Sequence, residues 1–199
     1  MKLSRIFAVA NQLMNRLKFH LFKWFRPVMV GKYKRTDGTR LPRTRVSNTT
    51  VIQGEKGLNI ADNVFIGHFN FIDAGNGLYI ETGCQITNYV SILTHSSHKA
   101  IRLYGAKYGQ VGPMKAYGEG KVFIGKYTFV GPHSVIMPGT TIRKGSLVSA
   151  FSMVKGEFPE FSIIAGNPAK VVGDTREMDK QYLKEHPELK DYYYEWAKD

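Results

Sequence analysis

The stretch from Val122 to Gly156 leaves this chain the fewest choices. Ile124, Val130, Ile136, Ile142, Val148 and Val154 recur at every sixth position, and small hydroxylated residues fall four places after the first five, at Thr128, Ser134, Thr140, Ser146 and Ser152. A six-residue step carries a 3.6-residue helix past one turn onto another face, so it builds no helical stripe. In an extended chain six is an even number and returns each aliphatic to the same face, while the Gly, Asn and Ser between them permit a turn before each next short strand. A chain that makes a short strand, turns and repeats will coil. Periods of this length belong to parallel β-helices, whose coils stack about 4.8 Å apart over a column of aliphatic side chains.

An earlier block carries the same register. Ile60, Ile66 and Ile72 are followed by Ile80, Ile86 and Ile92, with one slip of two residues around Asn76 and Gly77 that reads as a bulged turn. The register stops at Ile92 and resumes at Ile124. Thr94 to Lys121, rich in Gly, Tyr and Lys, has no six-residue pattern, and loops longer than about 15 residues inside a compact domain are usually functional or disordered. His95 and His98 stand at its root. The expected organisation is an all-β dominated chain in three parts. Residues 1–50 form a basic helix and connector, 51–173 the β-helix with its excursion 94–121, and 174–199 a helical tail.

The net charge of +12 is concentrated at one end, since residues 1–46 hold twelve Lys or Arg against one Asp, leaving about +1 for the remainder. A body so nearly neutral offers no basic groove, which argues against a nucleic-acid partner. Within the arm, Ile6, Ala10, Leu13, Leu17, Leu21 and Trp24 fit one helical face, Arg5, Arg16, Lys18, Lys23 and Arg26 decorate it, and Pro27 ends it. Such a basic amphipathic helix serves either as a cap or subunit contact or as an anchor on an anionic membrane. Val30 to Ser47 reads as an extended basic connector. The single Cys84 forms no intrachain disulfide and occupies a small-residue slot, so it reads as buried filler. No run of about 18 apolar residues and no secretory h-region is present, so the expected location is cytoplasmic, with the inner face of the membrane as the alternative. Asp174 is the expected N-cap of a final helix through Met178, Tyr182 and Leu183, broken at Pro187.

Two blocks of hexapeptide repeats, an excursion opening Thr94-His95-Ser96-Ser97-His98, and the closing Ala165-Gly166-Asn167-Pro168-Ala169-Lys170 together resemble the hexapeptide-repeat acyltransferases. Within them the chain most resembles sugar O-acetyltransferases of the maltose, galactoside and surface-polysaccharide type. The resemblance implies a left-handed parallel β-helix, assembly as a homotrimer with sites between subunits, and acetyl-CoA as co-substrate with no metal. Handedness comes from the resemblance alone, because most parallel crossovers are right-handed.

The chemistry also follows from residue types. A hydroxyl attacks a thioester well only while its proton is being removed, and histidine is the usual base near neutral pH. His95 matches the base of the family, with His98 as the rival or an acceptor contact. The oxyanion of direct transfer falls to a backbone N–H of an adjacent coil. Maltose-type enzymes place an acceptor-binding Asn in an early coil where this chain reads Ile66-Gly67-His68-Phe69-Asn70, so the acceptor pocket is rebuilt. Asp73, His68, Asn70 and Asn88 are its candidates. For coenzyme A the resemblance points to Gly131, Ser149 and Ala150, where small residues admit a ligand to the main chain, and to Lys155 and Lys170 near its phosphates, with Arg143 and Lys144 as lesser choices. His133 reads as solvent-facing, and His20 and His186 lie outside the repeats. Three rivals remain: a zinc enzyme of the γ-carbonic anhydrase type, a transferase to an amine, and a non-enzymatic scaffold.

Overall fold

The computed structural model of the chain describes the backbone of residues 2–24 and 26–198 and the side chains of residues 11–23 and 26–198. The repeats coil into a left-handed parallel β-helix with three flat faces. The second face stacks Val51–Gln53, Phe71–Asp73, Ser91–Ile92, Val135–Ile136 and Met153–Val154, and the third stacks Leu58–Ile60, Leu78–Ile80, Val122–Ile124, Thr141–Ile142 and Glu157–Phe158. The first face runs through Phe65–Ile66, Gln85–Ile86, Phe129–Val130 and Leu147–Val148. It is flanked by β1 (Met29–Lys34) and β2 (Arg40–Ser47) at one end and by Ser162–Gly166 and Ala169–Asp174 at the other.

The six-residue aliphatics form the columns inside the coil. Ile66 lies on Ile86, Val130 on Val148 and Ile136 on Val154, and each of these side chains is fully buried. The hydroxylated positions are buried beside them and satisfy turn carbonyls. Ser134 donates to Ser149 O at 3.0 Å, Thr140 to Met137 O at 2.7 Å and Ser152 to Ser149 O at 2.7 Å. That is why the repeat pairs an aliphatic with a small hydroxyl: one fills the core and the other closes the corner. Ile86→Ala, which empties one rung between Ile66 and Val130, is expected to cost about 2–5 kcal/mol, measurable by chemical denaturation.

Residues 30–47, read from the sequence as a connector, form the β1–β2 hairpin instead. Its second strand pairs in parallel with the first coil, Arg45 opposite Phe65 and Val46 opposite Ile66, while β1 pairs antiparallel on its outer side. Ser162–Gly166 and Ala169–Asp174 repeat the device at the far end. Both edges of the first face therefore end in antiparallel strands, which offer no continuation to another coil.

Helix α1 (Lys2–Trp24) precedes the hairpin, and all its side chains from residue 11 to 23 are exposed. The expectation of a cap over the first coil is not met by these residues; Ile6, Ala10, Trp24 and Arg5, named for the same helix, have side chains outside the described residues. The hairpin does the covering. At the other end α3 (Thr175–Glu185) begins at Asp174, whose side chain accepts from Arg176 N, and α4 (Lys190–Ala197) follows the break at Pro187. Trp196 of α4 packs on Tyr127 and Phe161, with ring centroids 4.5 and 5.8 Å apart. These aromatics occupy alternate corners between the third and first faces. Gly83 (φ +74°) lies beneath Tyr127, where an added Cβ would collide with the ring.

The corner between the first and second faces carries an aromatic ring in four successive coils. Phe69, Tyr89, His133 and Phe151 all sit in the left-handed region that bulky residues rarely adopt, and successive rings stack at 5.1, 4.9 and 4.9 Å. His133 is solvent-facing as expected, and it is also sandwiched within this stack.

Candidate active site

Strand Phe71–Asp73 ends in a buried carboxylate at the corner between the second and third faces. Asp73 Oδ1 accepts from Gly75 N at 2.9 Å, and Oδ2 accepts from Thr94 N at 3.0 Å and from the Thr94 hydroxyl at 2.8 Å. The remaining contact of Oδ2 is His95 Nδ1, at 2.6 Å. Burial pushes the Asp73 carboxyl up, but the hydrogen bonds from Gly75, Thr94 and His95 outweigh it and hold the group below its ordinary value of 3.8. An ionised Asp73 only accepts, so Nδ1 of His95 carries a proton, and in the neutral imidazole the lone pair is on Nε2.

The excursion holds that ring in place. His95–Ser96 pairs antiparallel with Gly118–Glu119, His95 opposite Glu119. Asn76 ties the root, its N–H donating to the Thr94 hydroxyl at 3.1 Å and its side-chain amide to Thr94 O at 3.2 Å, and Gly120 N donates to the same carbonyl at 3.0 Å. Tyr117 covers one face of the His95 imidazole, with centroids 5.5 Å apart and planes 8° from parallel. Burial first, then the neighbouring Tyr108, Glu119 and Asp73, push the Tyr117 phenol up. Next to it opens a cleft of about 390 Å³ lined by Tyr108, Gly109, Pro113, Met114, Tyr117 and Glu119. The assembly is an oriented imidazole with its outer nitrogen available, beside a cleft with aromatic walls and one carboxylate.

The structure separates the remaining candidates. Asp73, read from the sequence as an acceptor contact, is instead the partner of His95. Asn70 is buried and bridges its own turn to the next coil, its amide donating to Gly67 O at 3.1 Å and its oxygen accepting from Val90 N at 2.7 Å. Asn88 accepts from His68 N at 2.7 Å, and His68 Nδ1 meets Ser47 Oγ at 2.6 Å. These three occupy the corner where the strands Phe71–Asp73 and Ser91–Ile92 begin, whereas Asp73 and His95 lie where those strands end. Hydrogen bonding to neighbouring turns accounts for them. His98 opens α2 (His98–Tyr104), is exposed, and its Nδ1 lies 2.7 Å from Ser96 Oγ.

Gly131 is required by the stack, since a Cβ there would lie 2.7 Å from Ala150 N and Val148 O. Ser149 gives its carbonyl to Ser134 and Ser152, and Ala150 is exposed on the same corner. Lys155 is exposed on the corner that also carries His95, further along the stack, and Lys170 is exposed on the last strand, opposite Ala165. Lys144 is buried, its ammonium 3.4 Å from Ala197 O and above the Phe161 ring, so it fastens α4 rather than facing a phosphate. Cys84 is fully buried with its thiol pushed up to about 12 by burial, as filler should be. Among the described residues no three His, Cys, Asp or Glu side chains cluster as metal ligands.

No protein-family model matches the chain. Serine acetyltransferase 2 of Arabidopsis thaliana is 30% identical over 137 residues, which span 69% of this chain and 39% of that protein; serine acetyltransferase 4 of the same plant matches equally over 35% of its length. An N-acyltransferase from Bacillus cereus, AntD, solved with dTDP and coenzyme A, superposes with a TM-score of 0.52 over 71% of this chain and 88% of its own, at 20% identity. The chain is built on the hexapeptide-repeat acyltransferase fold. It spans well under half the length of the serine acetyltransferases it matches, so the likeness covers part of those proteins and not their whole architecture.

Two parts of this site leave little or no mark in the sequence pattern. Tyr117 lies in a loop with no register and several tyrosines, so nothing distinguishes it among them. Asn76 does leave a signal: the two-residue slip at Asn76 and Gly77 is the corner that reaches up to hold Thr94.

Proposed function

We propose that this protein transfers an acetyl group from acetyl-CoA to a hydroxyl of a surface-glycan sugar or its precursor, with His95 as general base. The observation that carries the reading is the Asp73–His95 pair at the root of the excursion, which leaves Nε2 of an oriented imidazole free to accept a proton. His95 Nε2 takes the acceptor's proton as its oxygen attacks the thioester carbonyl; the oxyanion is stabilised by a backbone N–H of an adjacent coil, and the proton passes to the departing thiolate. No acyl-enzyme forms. The cleft lined by Tyr108 and Tyr117 suits a ring with one apolar face, and Glu119 suits its hydroxyls. Lys155, exposed on the His95 corner, and Lys170, exposed on the last strand, are the proposed contacts to the coenzyme phosphates. The active form is a homotrimer in the cytoplasm.

The names of the similar proteins support acyl transfer and leave the acceptor open, one acting on serine and another being an N-acyltransferase. An amine acceptor would use the same base and donor. Incubation with acetyl-CoA and a panel of sugars, nucleotide sugars, oligosaccharides and amines, followed by thiol release, tests the proposal. Acceptor-dependent release with a hydroxylamine-labile product is expected. A hydroxylamine-stable product would move the assignment to an amine, and no release across the panel would remove it.

A further inference from the structure

Helix α1 ends its twenty-three residues with no packing partner on the side chains that the structure describes. Leu13, Met14, Leu17 and Leu21 fall along one side of the helix and remain 67%, 51%, 56% and 53% exposed, and Phe19 and Phe22 are more than half exposed as well. Arg16, Lys18 and Lys23 flank that side and are also exposed. The sequence extends both features in phase toward the N-terminus, with Ile6 and Ala10 on the apolar side and Lys2 and Arg5 among the bases, and no acidic residue precedes Asp37. At 1.5 Å per residue such a helix is roughly 35 Å long, but no helix among the described residues is long and apolar enough to cross a membrane. It suits lying on a surface rather than passing through one.

Charge identifies the surface. Residues 1–46 carry a balance of +11, whereas the rest of the chain carries about +1 and so offers this arm little counter-charge. A second copy would bring another arm of the same sign. A nucleic acid would neutralise the bases and leave the leucines in water. We propose that α1 docks on an anionic lipid bilayer, its Leu13–Leu17–Leu21 side at the acyl boundary and its Lys and Arg among the headgroups, holding the β-helix at the membrane surface. The inference is independent of the acyl-transfer reading, because it uses no residue of the His95 site.

The full-length protein is sedimented with vesicles of phosphatidylcholine alone and of phosphatidylcholine with phosphatidylglycerol, at low and high salt, and compared with the Leu13→Glu/Leu17→Glu variant. Salt-sensitive binding to the anionic vesicles alone is expected, weakened at least roughly tenfold in the variant, with the thermal unfolding midpoint and the subunit number by light scattering unchanged. Three results overturn the proposal: equal binding to neutral vesicles, tighter binding to a DNA duplex than to anionic vesicles, or a variant whose subunit number falls while vesicle binding persists. The last would make α1 a contact between subunits.

Discussion

His95→Gln is expected to lower kcat for acetyl transfer between about a hundredfold and ten-thousandfold, the usual contribution of a positioned general base. The amide keeps the size and some of the hydrogen bonding of the imidazole, so the Asp73 carboxylate is not left facing an empty space. The fold should be indifferent, because His95 is on the excursion and no rung of the aliphatic column includes it. The KM for acetyl-CoA should change by no more than about threefold, since removal of a group acting in the transition state leaves ground-state binding of the donor alone. Steady-state kinetics by thiol release, with a thermal melt as control, would decide. Retention of more than a tenth of kcat would remove His95 from the role of base and leave His98 as the remaining histidine of the excursion.

Asp73→Asn is the second large effect. An asparagine that turns its NH2 to Nδ1 makes that nitrogen the lone-pair one and moves the proton to Nε2 where the base is needed, while the Thr94 N–H loses its acceptor. With its oxygen there instead, the imidazole keeps its tautomer but loses the carboxylate's charge. Either way the pair that presents a basic Nε2 is impaired. The expected loss in kcat is about a hundredfold to ten-thousandfold, with donor KM little changed. A purely structural Asp73 would lower stability without a specific loss of kcat in the fraction that remains folded. The stability effect has its own sign. Because the folded carboxyl titrates below 3.8, its contribution is in full above that unfolded value and is lost as the pH falls through the lower folded one. The variant should therefore be less stable than the parent at neutral pH, and the difference should shrink on acidification. A denaturation series from neutral to strongly acidic pH measures it.

What can be read without the structure follows from which interactions repeat. The aliphatic and hydroxylated positions obey one rule from coil to coil, so Ile124 with Thr128 announces the same geometry as Val148 with Ser152, and the column emerges from spacing alone. His95 is legible because it stands where that rule stops. Asp73 is visible as a candidate, but its sequence context does not show that it pairs with His95. Its role depends on Thr94 and His95 returning over it from the next coil, and one strand's sequence does not show which residue of the following coil lies above it. The β1–β2 hairpin is hidden for a related reason: its antiparallel pairing has no six-residue period, and its buried positions, Leu41, Thr44, Val46 and Ser47, are irregularly spaced among many bases. Gly131, read as making room for a ligand, makes room for the coil above it, and small residues serve either purpose with the same sequence signature.

The third face passes directly from Leu78–Ile80 to Val122–Ile124, and the second from Ser91–Ile92 to Val135–Ile136, as though the intervening excursion did not exist. The scaffold on either side closes on itself. Selection can therefore lengthen, shorten or rewrite residues 97–116 without renegotiating a single rung of the core, provided the Thr94–Asn76 fastening, the His95–Asp73 pair and the Tyr117 ring over His95 are kept. On the proposed function, chemistry and substrate preference become separately heritable in such a chain: a lineage could trade one acceptor for another by exchanging a loop, while the proposed base and the frame that aims it are passed on intact.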